Sequence, residues 1–340
     1  MKNKQSFIDA IFLAIFFVFL AHYFATYFSS INPKNFFIHT YSSLLLKLTG
    51  ENRFGSVDYK SGFMYLKEDC VYFDNDFIKK GIIELQKFND FCNKNKIKLY
   101  ILITPQKSDI YPYNANLLKN TEFLQNELKK SGLRAIYPLD ELKEGANKNY
   151  MFFKTEHHWT DDAAYISYNL LINSIQKDFP NIKPLSIYDF TLSYNYLIRG
   201  DWERSFRYGT TCHNIGLPLS ECKKFHDTKY RYYTNKNVDD LKIENKDNKN
   251  TYINYYHFPN GAPYRAILMG SSQIENLAEF IPYSFSNTLK IRNKNETKTD
   301  KPFYKIMKYN KDLILDYKPD ILILCLSYNH FKHLRDIFSP

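Results

Sequence analysis

Apolar residues in the first half of the chain follow helical spacing and then strand-like runs. Residues 76–97 carry apolar side chains on one helical face, namely Phe77, Ile78, Ile82, Leu85, Phe88 and Phe91. The apolar run at 97–104 follows directly and predicts a buried strand that ends before a turn at Pro105. Residues 121–132 predict a second helix, and residues 133–140 a short strand. This alternation is typical of an open α/β sheet whose parallel strands are covered by flanking helices.

The same alternation returns late in the chain. The predicted elements there are an apolar strand, a helix, a further strand and a strongly apolar strand, at 264–270, 271–285, 288–293 and 318–327. The working residues of such sheets lie on loops beyond the carboxyl ends of the strands. We therefore expect three segments that follow predicted strands to lie close together: 104–110, Ser271 with Ser272, and 327–330.

Two segments determine the predicted domain organisation. Residues 11–28 form an apolar run of about the length that crosses a bilayer, and no small residues mark a signal-peptidase site after it. Residues 1–30 therefore predict an uncleaved signal anchor with a cytoplasmic N-terminus, the alternative being a buried core helix. Residues 31–60 are predicted to connect this anchor to a domain at 61–340. Within that domain, the polar stretch 184–260 predicts an insertion of irregular or β structure that projects from the sheet.

Charge and cysteine content narrow the classes of function. The net charge of +10 is spread along the chain, whereas nucleic acids are bound by clustered cations, so nucleic-acid binding is not expected. The five cysteines form no C-x-x-C pair and H-E-x-x-H is absent, so no metal site is expected. Cys325 lies in an apolar run and is predicted to be buried. Cys212 and Cys222 either close a small disulfide-bonded loop or remain free thiols.

A serine pair follows the predicted strand at 264–270 in the stretch "ILMGSSQIENL". A serine in such a strand-to-helix turn can act as a nucleophile, because neighbouring backbone N–H groups and the helix N-terminus stabilise a developing oxyanion. The other interpretation is a helix cap, a role that serine often takes at this position. This motif by itself favours the cap.

The stretch "TEHHWT" supplies what a serine nucleophile requires. Such a serine needs a general base, and the base needs a group that fixes its tautomer. Glu156 and His158 are two residues apart, so on an extended segment both side chains point to the same side. The two motifs together favour a serine triad over an ordinary polar turn.

Four stretches of the chain together resemble the AlgJ, AlgX and DHHW family of polysaccharide O-acetyltransferases. "YMFFKTEHHWTDDAA" resembles the TDxHWT block of that family, and "AILMGSSQ" its Gly-x-Ser nucleophile block. "LITPQKSDIYP" and "KPDILILCLSYNH" are similar to two of its core strands with their following loops. The resemblance covers roughly residues 60–335. It implies an α/β fold of the SGNH-hydrolase-like (flavodoxin-like) type, with a parallel sheet, flanking helices and a permuted chain order.

Carried over residue by residue, the resemblance implies a serine triad. Ser272 takes the position of the nucleophile and His158 that of the general base, with the adjacent His157 as a rival. Glu156 stands where the family usually has an aspartate that orients the base. This replacement adds one methylene group, so the carboxylate must retreat to keep the same contact with the imidazole.

Three further residues are candidates for the oxyanion hole or for substrate contact. Tyr328 lies where relatives place a tyrosine that contributes to the oxyanion hole. Ser271 stands where many relatives have Asp or Thr, and its backbone N–H is a second oxyanion candidate. Arg292 corresponds loosely to an arginine that contacts sugar.

The resemblance implies an enzyme that moves acetyl groups to hydroxyls of a cell-envelope polysaccharide or peptidoglycan through an acetyl-serine intermediate, without a cofactor. It implies a membrane-bound O-acyltransferase-type partner as acetyl donor, and a catalytic domain in the periplasm, tethered to the bacterial inner membrane. Two alternatives stay open. One is an acetylesterase that uses the same triad, and the other is an inactive homologue that binds glycan or serves as a scaffold.

Overall fold

The structure is a computed structural model, and it describes residues 17, 44, 57–66, 75–111, 115–154, 157–196, 228–246, 251–293, 311–327, 331 and 334. The chain divides into two compact units: Met1–Lys67 with Lys154–Glu156 and Tyr196–Thr228, and Glu68–Phe153 with His157–Asn195 and Lys229–Pro340. In the first unit, Val57–Lys60 (β1) and Phe63–Leu66 (β2) pair as an antiparallel hairpin.

A seven-stranded sheet forms the centre of the second unit. The remaining strands in chain order are Lys98–Thr104 (β3), Ala135–Ile136 (β4), Phe190–Tyr196 (β5), Lys229–Asn235 (β6), Lys242–Asn245 (β7), Thr251–His257 (β8), Ala262–Gly270 (β9), Phe285–Asn293 (β10) and Ile321–Ser327 (β11). β5 and β6 form a separate pair, and the large sheet has the order β4-β3-β11-β9-β10-β8-β7. The strands from β4 to β10 in this order are parallel, and β8 and β7 add antiparallel edge strands. The expected α/β fold with a mostly parallel sheet is confirmed.

Helices bury both faces of the sheet. Their bounds are Asn75–Lys94 (α1), Lys107–Ile110 (α2), Ala115–Lys130 (α3), Leu139–Ala146 (α4), Asp161–Gln176 (α5), Ile274–Leu277 (α6) and Lys311–Tyr317 (α7), with 3-10 turns at Ile187–Asp189, Val238–Asp240 and Ile281–Ser284. Side chains alternate along each central strand, so Tyr100 and Leu102 of β3 face one core while Leu99 and Ile101 face the other. The first core is closed by α5, and the second by α1 and α3.

Two elements differ from the expectations. The helix predicted at 271–285 is only the single turn Ile274–Leu277, followed by the 3-10 turn Ile281–Ser284. Pro282 has no N–H to continue a helix, and the buried Phe285 already begins β10. Within the predicted insertion at 184–260, β7 and β8 extend the central sheet through β10 instead of projecting from it.

Several expectations fall on residues outside the described ranges. These are the anchor at 1–30 apart from Phe17, most of the connecting segment at 31–60, and the pair Cys212 and Cys222. No helix within the described ranges is both long and apolar enough to cross a bilayer. The domain boundaries stay a prediction. Cys325 is fully buried as expected, and its thiol is free.

Candidate active site

The serine turn begins where β9 lies tight against β11. A Cβ atom on Gly270 would lie 2.0 Å from the carbonyl oxygen of Cys325, so only glycine allows this approach of two backbones. The N–H of Ser271 donates to the same carbonyl oxygen at 3.3 Å. The chain therefore leaves the sheet at a fixed point, and Ser272 lies just beyond the carboxyl end of β9.

The ends of neighbouring parallel strands meet at this edge of the sheet. In the strand register, Gly270 pairs with Cys325 on one side and Arg292 on the other, and Ser327 pairs with Thr104. The expected gathering of the strand ends is therefore confirmed for the described residues. Residues 328–330 lie outside the described ranges.

The second half of the site comes from a turn that precedes α5, called the arch here; its described residues are 151–154 and 157–160. Phe152 and Trp159 form an antiparallel bridge, the N–H of Phe153 donates to the carbonyl of His158 at 3.2 Å, and Trp159 is fully buried. The side chain of Thr160 caps α5 by accepting from the N–H of Ala163. The "HHWTDDAA" sequence thus buries a tryptophan, caps a helix, and leaves His158 on a fixed backbone.

The arch and the serine turn meet at one side-chain pair. The Nε2 atom of His158 lies 2.7 Å from the Oγ atom of Ser272, across 114 residues of sequence. When Nε2 is the acceptor, the serine hydroxyl donates, which is the geometry that a general base needs to take its proton. The ring centroid of His157 lies 4.0 Å from that of His158. The contact with Ser272 is made by His158.

Gln273, which sequence reasoning did not single out, joins the same two elements. Its side-chain Oε1 accepts from the N–H of Trp159 and its Nε2 donates to the carbonyl of His157, both at 3.3 Å. Its backbone carbonyl accepts from the indole N–H of Trp159 at 3.1 Å. These hydrogen bonds bracket His158, so the residue next to the serine fixes the backbone on both sides of the histidine.

Replacing Gln273 tests this bracket. We expect Gln273→Ala to lower kcat for ester turnover by about 10- to 100-fold, because small displacements of a catalytic group have effects of this size. We expect Gln273→Glu to lower kcat as well, because it puts a carboxylate oxygen against the carbonyl oxygen of His157 and a charge at a buried position. Steady-state kinetics with p-nitrophenyl acetate measure both. A change in KM alone, with kcat intact, would contradict the role of Gln273 in placing the base.

Of the other predicted site residues, the structure describes Ser271 and Arg292. Ser271 is buried, and its hydroxyl has no hydrogen-bond partner among the described residues. Because its N–H is bonded to Cys325, the N–H of Ser272 is the better oxyanion donor in this turn. The guanidinium of Arg292 is held by Glu275 at 3.0 Å, three residues after Ser272. Glu156 and Tyr328 lie outside the described residues.

Two buried carboxyl groups flank the site. Asp161, in the first turn of α5, accepts from the amide of Asn276 at 2.7 Å, and burial raises its pKa to about 6. Asp109 lies just past the end of β3 and accepts from the N–H of Gln106 at 2.7 Å and from the hydroxyl of Tyr137 at 3.2 Å. Burial outweighs these hydrogen bonds and raises its pKa to about 6.

The raised pKa of Asp109 predicts a pH-dependent stability. The folded state holds this proton up to a pH of about 6, whereas the unfolded chain releases it near its ordinary value, so the stabilisation is lost as pH rises through that window. We expect the free energy of unfolding to fall by roughly 2–3 kcal/mol more in the wild type than in Asp109→Asn between acidic and neutral pH. Urea unfolding at several pH values measures this, and the exposed Asp140→Asn is the control. Parallel pH curves for wild type and Asp109→Asn would contradict the prediction.

A metal site needs several His, Cys, Asp or Glu side chains close together. No cluster of three or more His, Cys, Asp and Glu side chains able to hold a metal ion occurs in the described part of the chain.

Comparison with known proteins agrees with this architecture. Residues 60–236, just over half of the chain, match the family model for the SGNH hydrolase-like domain of the acetyltransferase AlgX. Among curated protein sequences, no significant match is found.

Solved structures share the fold at low sequence identity. Bacillus cereus PatB1 aligns with a TM-score of 0.60 and 16% identity over 81% of this chain and 96% of its own. A DHHW family protein from Eubacterium siraeum aligns with a TM-score of 0.54 and 12% identity, over 83% of this chain and 93% of its own. The O-acetyltransferase domain of Pseudomonas putida AlgJ aligns with a TM-score of 0.53 and 12% identity, over 84% of this chain and 96% of its own.

Proposed function

Because the chain belongs to the family of SGNH hydrolase-like acetyltransferase domains typified by AlgX, we propose that it is a serine-dependent O-acetyltransferase acting on a cell-envelope glycan. Ser272 is the nucleophile and His158 the general base. The acceptor is a hydroxyl group of a polysaccharide or of peptidoglycan. The acetyl group passes through an acetyl-serine intermediate.

One observation carries the proposal. The 2.7 Å contact between His158 Nε2 and Ser272 Oγ joins the two sequence motifs that a serine acyltransferase needs. An ordinary capping serine would bond to the backbone of its own helix. Here the hydroxyl meets an imidazole on a distant, separately anchored arch.

In the first half-reaction, Ser272 takes the acetyl group from the donor. His158 Nε2 accepts the hydroxyl proton while Ser272 Oγ forms a bond to the acetyl carbonyl carbon, and the carbonyl oxygen becomes an oxyanion. The N–H of Ser272 and the hydroxyl of Tyr328 stabilise that oxyanion. Collapse of the tetrahedral intermediate expels the donor's leaving group, which takes the proton from His158.

The second half-reaction reverses these roles. His158 Nε2 accepts a proton from a sugar hydroxyl, whose oxygen attacks the acetyl carbon. Ser272 Oγ leaves and recovers the proton from His158, which regenerates the enzyme. Glu156 keeps the imidazole in the tautomer that leaves Nε2 free to accept.

The cellular setting is part of the proposal. Residues 1–30 anchor the chain in the bacterial inner membrane and place the catalytic domain in the periplasm, where envelope glycans lie. A membrane-bound O-acyltransferase-type protein delivers the acetyl group. The SGNH-like, flavodoxin-like fold is permuted, consistent with the acid and base preceding the nucleophile in the chain.

Acetyl transfer to oligosaccharides tests the proposal. The full chain and Ser272→Ala are incubated with p-nitrophenyl acetate and glycan oligosaccharides, and products are analysed by mass spectrometry. We expect acetylated oligosaccharide with the wild type alone. Release of acetate that depends on Ser272 but yields no sugar product would identify an esterase. An absence of Ser272-dependent turnover would favour the binding or scaffold alternative.

A further inference from the structure

Asp161 and Asn276 make a second side-chain contact between the two halves of the catalytic site. Asp161 lies three residues after His158, and Asn276 lies four residues after Ser272. The amide Nδ2 of Asn276 donates to the Oδ1 atom of Asp161 at 2.7 Å, across 115 residues of sequence. This contact therefore lies close to the pair of His158 and Ser272 along both segments of the chain.

A hydrogen-bonded turn joins Asn276 to the nucleophile. The N–H of Ile274 donates to the carbonyl of Ser271 at 3.1 Å, and the N–H of Glu275 donates to the carbonyl of Ser272 at 3.2 Å. These bonds connect the serine turn directly to α6, the single helical turn that contains Asn276. A shift of Asn276 therefore moves Ser272 as well.

The start of α5 holds Asp161 in a similar way relative to His158. The N–H of Thr160 donates to the carbonyl of Met151 at 3.0 Å, on the opposite side of the arch. Strand β6 adds a contact, since the N–H of Tyr233 donates to the Oδ2 atom of Asp161 at 3.3 Å. Each oxygen of the buried Asp161 carboxylate thus accepts one hydrogen bond, from α6 on one side and from β6 on the other.

The ionised carboxylate of Asp161 is the form that can accept both hydrogen bonds. A carboxylate accepts with both oxygens, whereas a protonated carboxyl group carries an O–H on one of them. That O–H would meet either the amide NH₂ of Asn276 or the N–H of Tyr233, and both of these groups are donors. Protonation of Asp161 therefore removes one of the two hydrogen bonds.

The surroundings of Asp161 bring its ionisation close to neutral pH. Burial outweighs the hydrogen bonds from Asn276 and Tyr233 and raises its pKa to about 6. Glu279 is exposed over much of its surface, yet the packing around its carboxyl group and the charge of Asp161 raise its pKa to about 7. The charged groups that face Asp161, directly or through a neighbour, are Asp162, Arg231, Glu275, Glu279 and Lys290.

We propose that Asp161 is a positioning residue of the reaction: its carboxylate, through Asn276, holds the turn that carries Ser272 against the arch that carries His158. This inference rests on the proposed function, since it assumes that Ser272 and His158 act together in acyl transfer. Asp161 acts through the placement of these two side chains. Turnover therefore falls at acid pH for two reasons, protonation of His158 and protonation of Asp161.

The pH dependence of kcat/KM for p-nitrophenyl acetate tests the inference on the full chain, with Ser272→Ala as the background rate at each pH. A single ionisation changes the rate by at most about 10-fold per pH unit on the acid side. We expect the wild type to exceed this slope between about pH 5 and 6, because His158 and Asp161 both gain protons there. Asp161→Asn cannot ionise, so its slope should not exceed that limit. Its kcat at about pH 8 should be about 10-fold lower, with KM little changed.

Asn276→Asp should reverse the pH dependence. It places two carboxyl groups at the contact, and such groups share one proton and repel each other once it is lost. The contact with Asp161 then exists in the singly protonated form, so kcat should pass through a maximum at acid pH and fall by about 10-fold towards about pH 8. A substitution that merely loosened the fold would lower kcat alike at every pH.

Glu279→Gln is the matched control. It removes a neighbouring carboxyl group and leaves the contact between Asp161 and Asn276 in place. The steep acid limb should remain and move to lower pH, because the loss of a nearby negative charge favours the ionised form of Asp161. Equal slopes in the wild type and Asp161→Asn, or an unchanged pH profile in Asn276→Asp, would overturn the inference.

The inference and the proposed function fail separately. Ser272-dependent turnover whose pH profile is the same in the wild type, Asp161→Asn and Asn276→Asp would keep the enzyme and remove the role of Asp161. A lack of Ser272-dependent turnover would remove the proposed function, and urea unfolding of Asp161→Ala, Asn276→Ala and their double variant would still test the contact. We expect the unfolding constants to show a coupling of at least about 5-fold at about pH 8 that shrinks at about pH 5. An absence of coupling would overturn the contact as well.

Discussion

Replacing Ser272 with alanine is expected to lower the rate of p-nitrophenyl acetate turnover by about 10³-fold or more, the size of effect seen when a serine nucleophile is removed. The reason is the loss of the oxygen that lies 2.7 Å from His158 Nε2. Steady-state kinetics on the purified protein measure the loss. Circular dichroism should show an unchanged fold, because the substitution removes one partly exposed hydroxyl.

Ser271→Ala is the matched comparison for this variant. The Ser271 hydroxyl is buried without a described hydrogen-bond partner, so its removal should cost little stability and leave most of the turnover. If Ser271→Ala lost activity and Ser272→Ala kept it, the two serines would have to exchange roles.

Replacing His158 with glutamine should have an effect of similar size. Glutamine can still hydrogen-bond to Ser272 but cannot take its proton, so we expect turnover to fall by about 10³-fold. The double variant Ser272→Ala/His158→Gln should be no slower than either single variant, because the two side chains act as one unit. Kinetics of the three variants measure this.

His157→Gln is the control for the base. Its carbonyl, which accepts from Gln273, belongs to the backbone and survives the substitution, so most of the turnover should remain. A variant at His157 that lost as much activity as His158→Gln, with kcat lowered, would reassign the base to the neighbouring histidine.

Much of the fold is readable from the sequence because its strands are continuous apolar runs. β3 and β11 are buried on both faces, and such strands lack the alternation that complicates weaker ones. The start of α5 is also readable, since Thr160 and two aspartates form an ordinary helix N-terminus. The end of the helix after Ser272 is readable only in part, through Pro282. The local sequence 271–285 has helical spacing, but burial of Phe285 in the sheet core decides its conformation.

The contact between Ser272 and His158 could be predicted from the sequence, whereas the residues that hold these two side chains in place could not. Ser272 and His158 each belong to a short motif with recognisable chemistry. Gln273 carries no such signal, because its hydrogen bonds reach residues well over 100 positions away. The same holds for Arg231, whose pairing with Asp162 depends on β6 returning beside α5. Contacts of this kind follow from the tertiary fold and not from local patterns.

The central claim is that Ser272 carries the acetyl group, and rapid-quench mass spectrometry tests it most directly. The full chain is mixed with p-nitrophenyl acetate, quenched within the first turnover and digested. The account predicts acetylation of the peptide that contains Ser272, and its absence in Ser272→Ala. Turnover by the wild type with no acetylated Ser272 peptide, or acetylation of a different residue that persists in Ser272→Ala, would contradict the account.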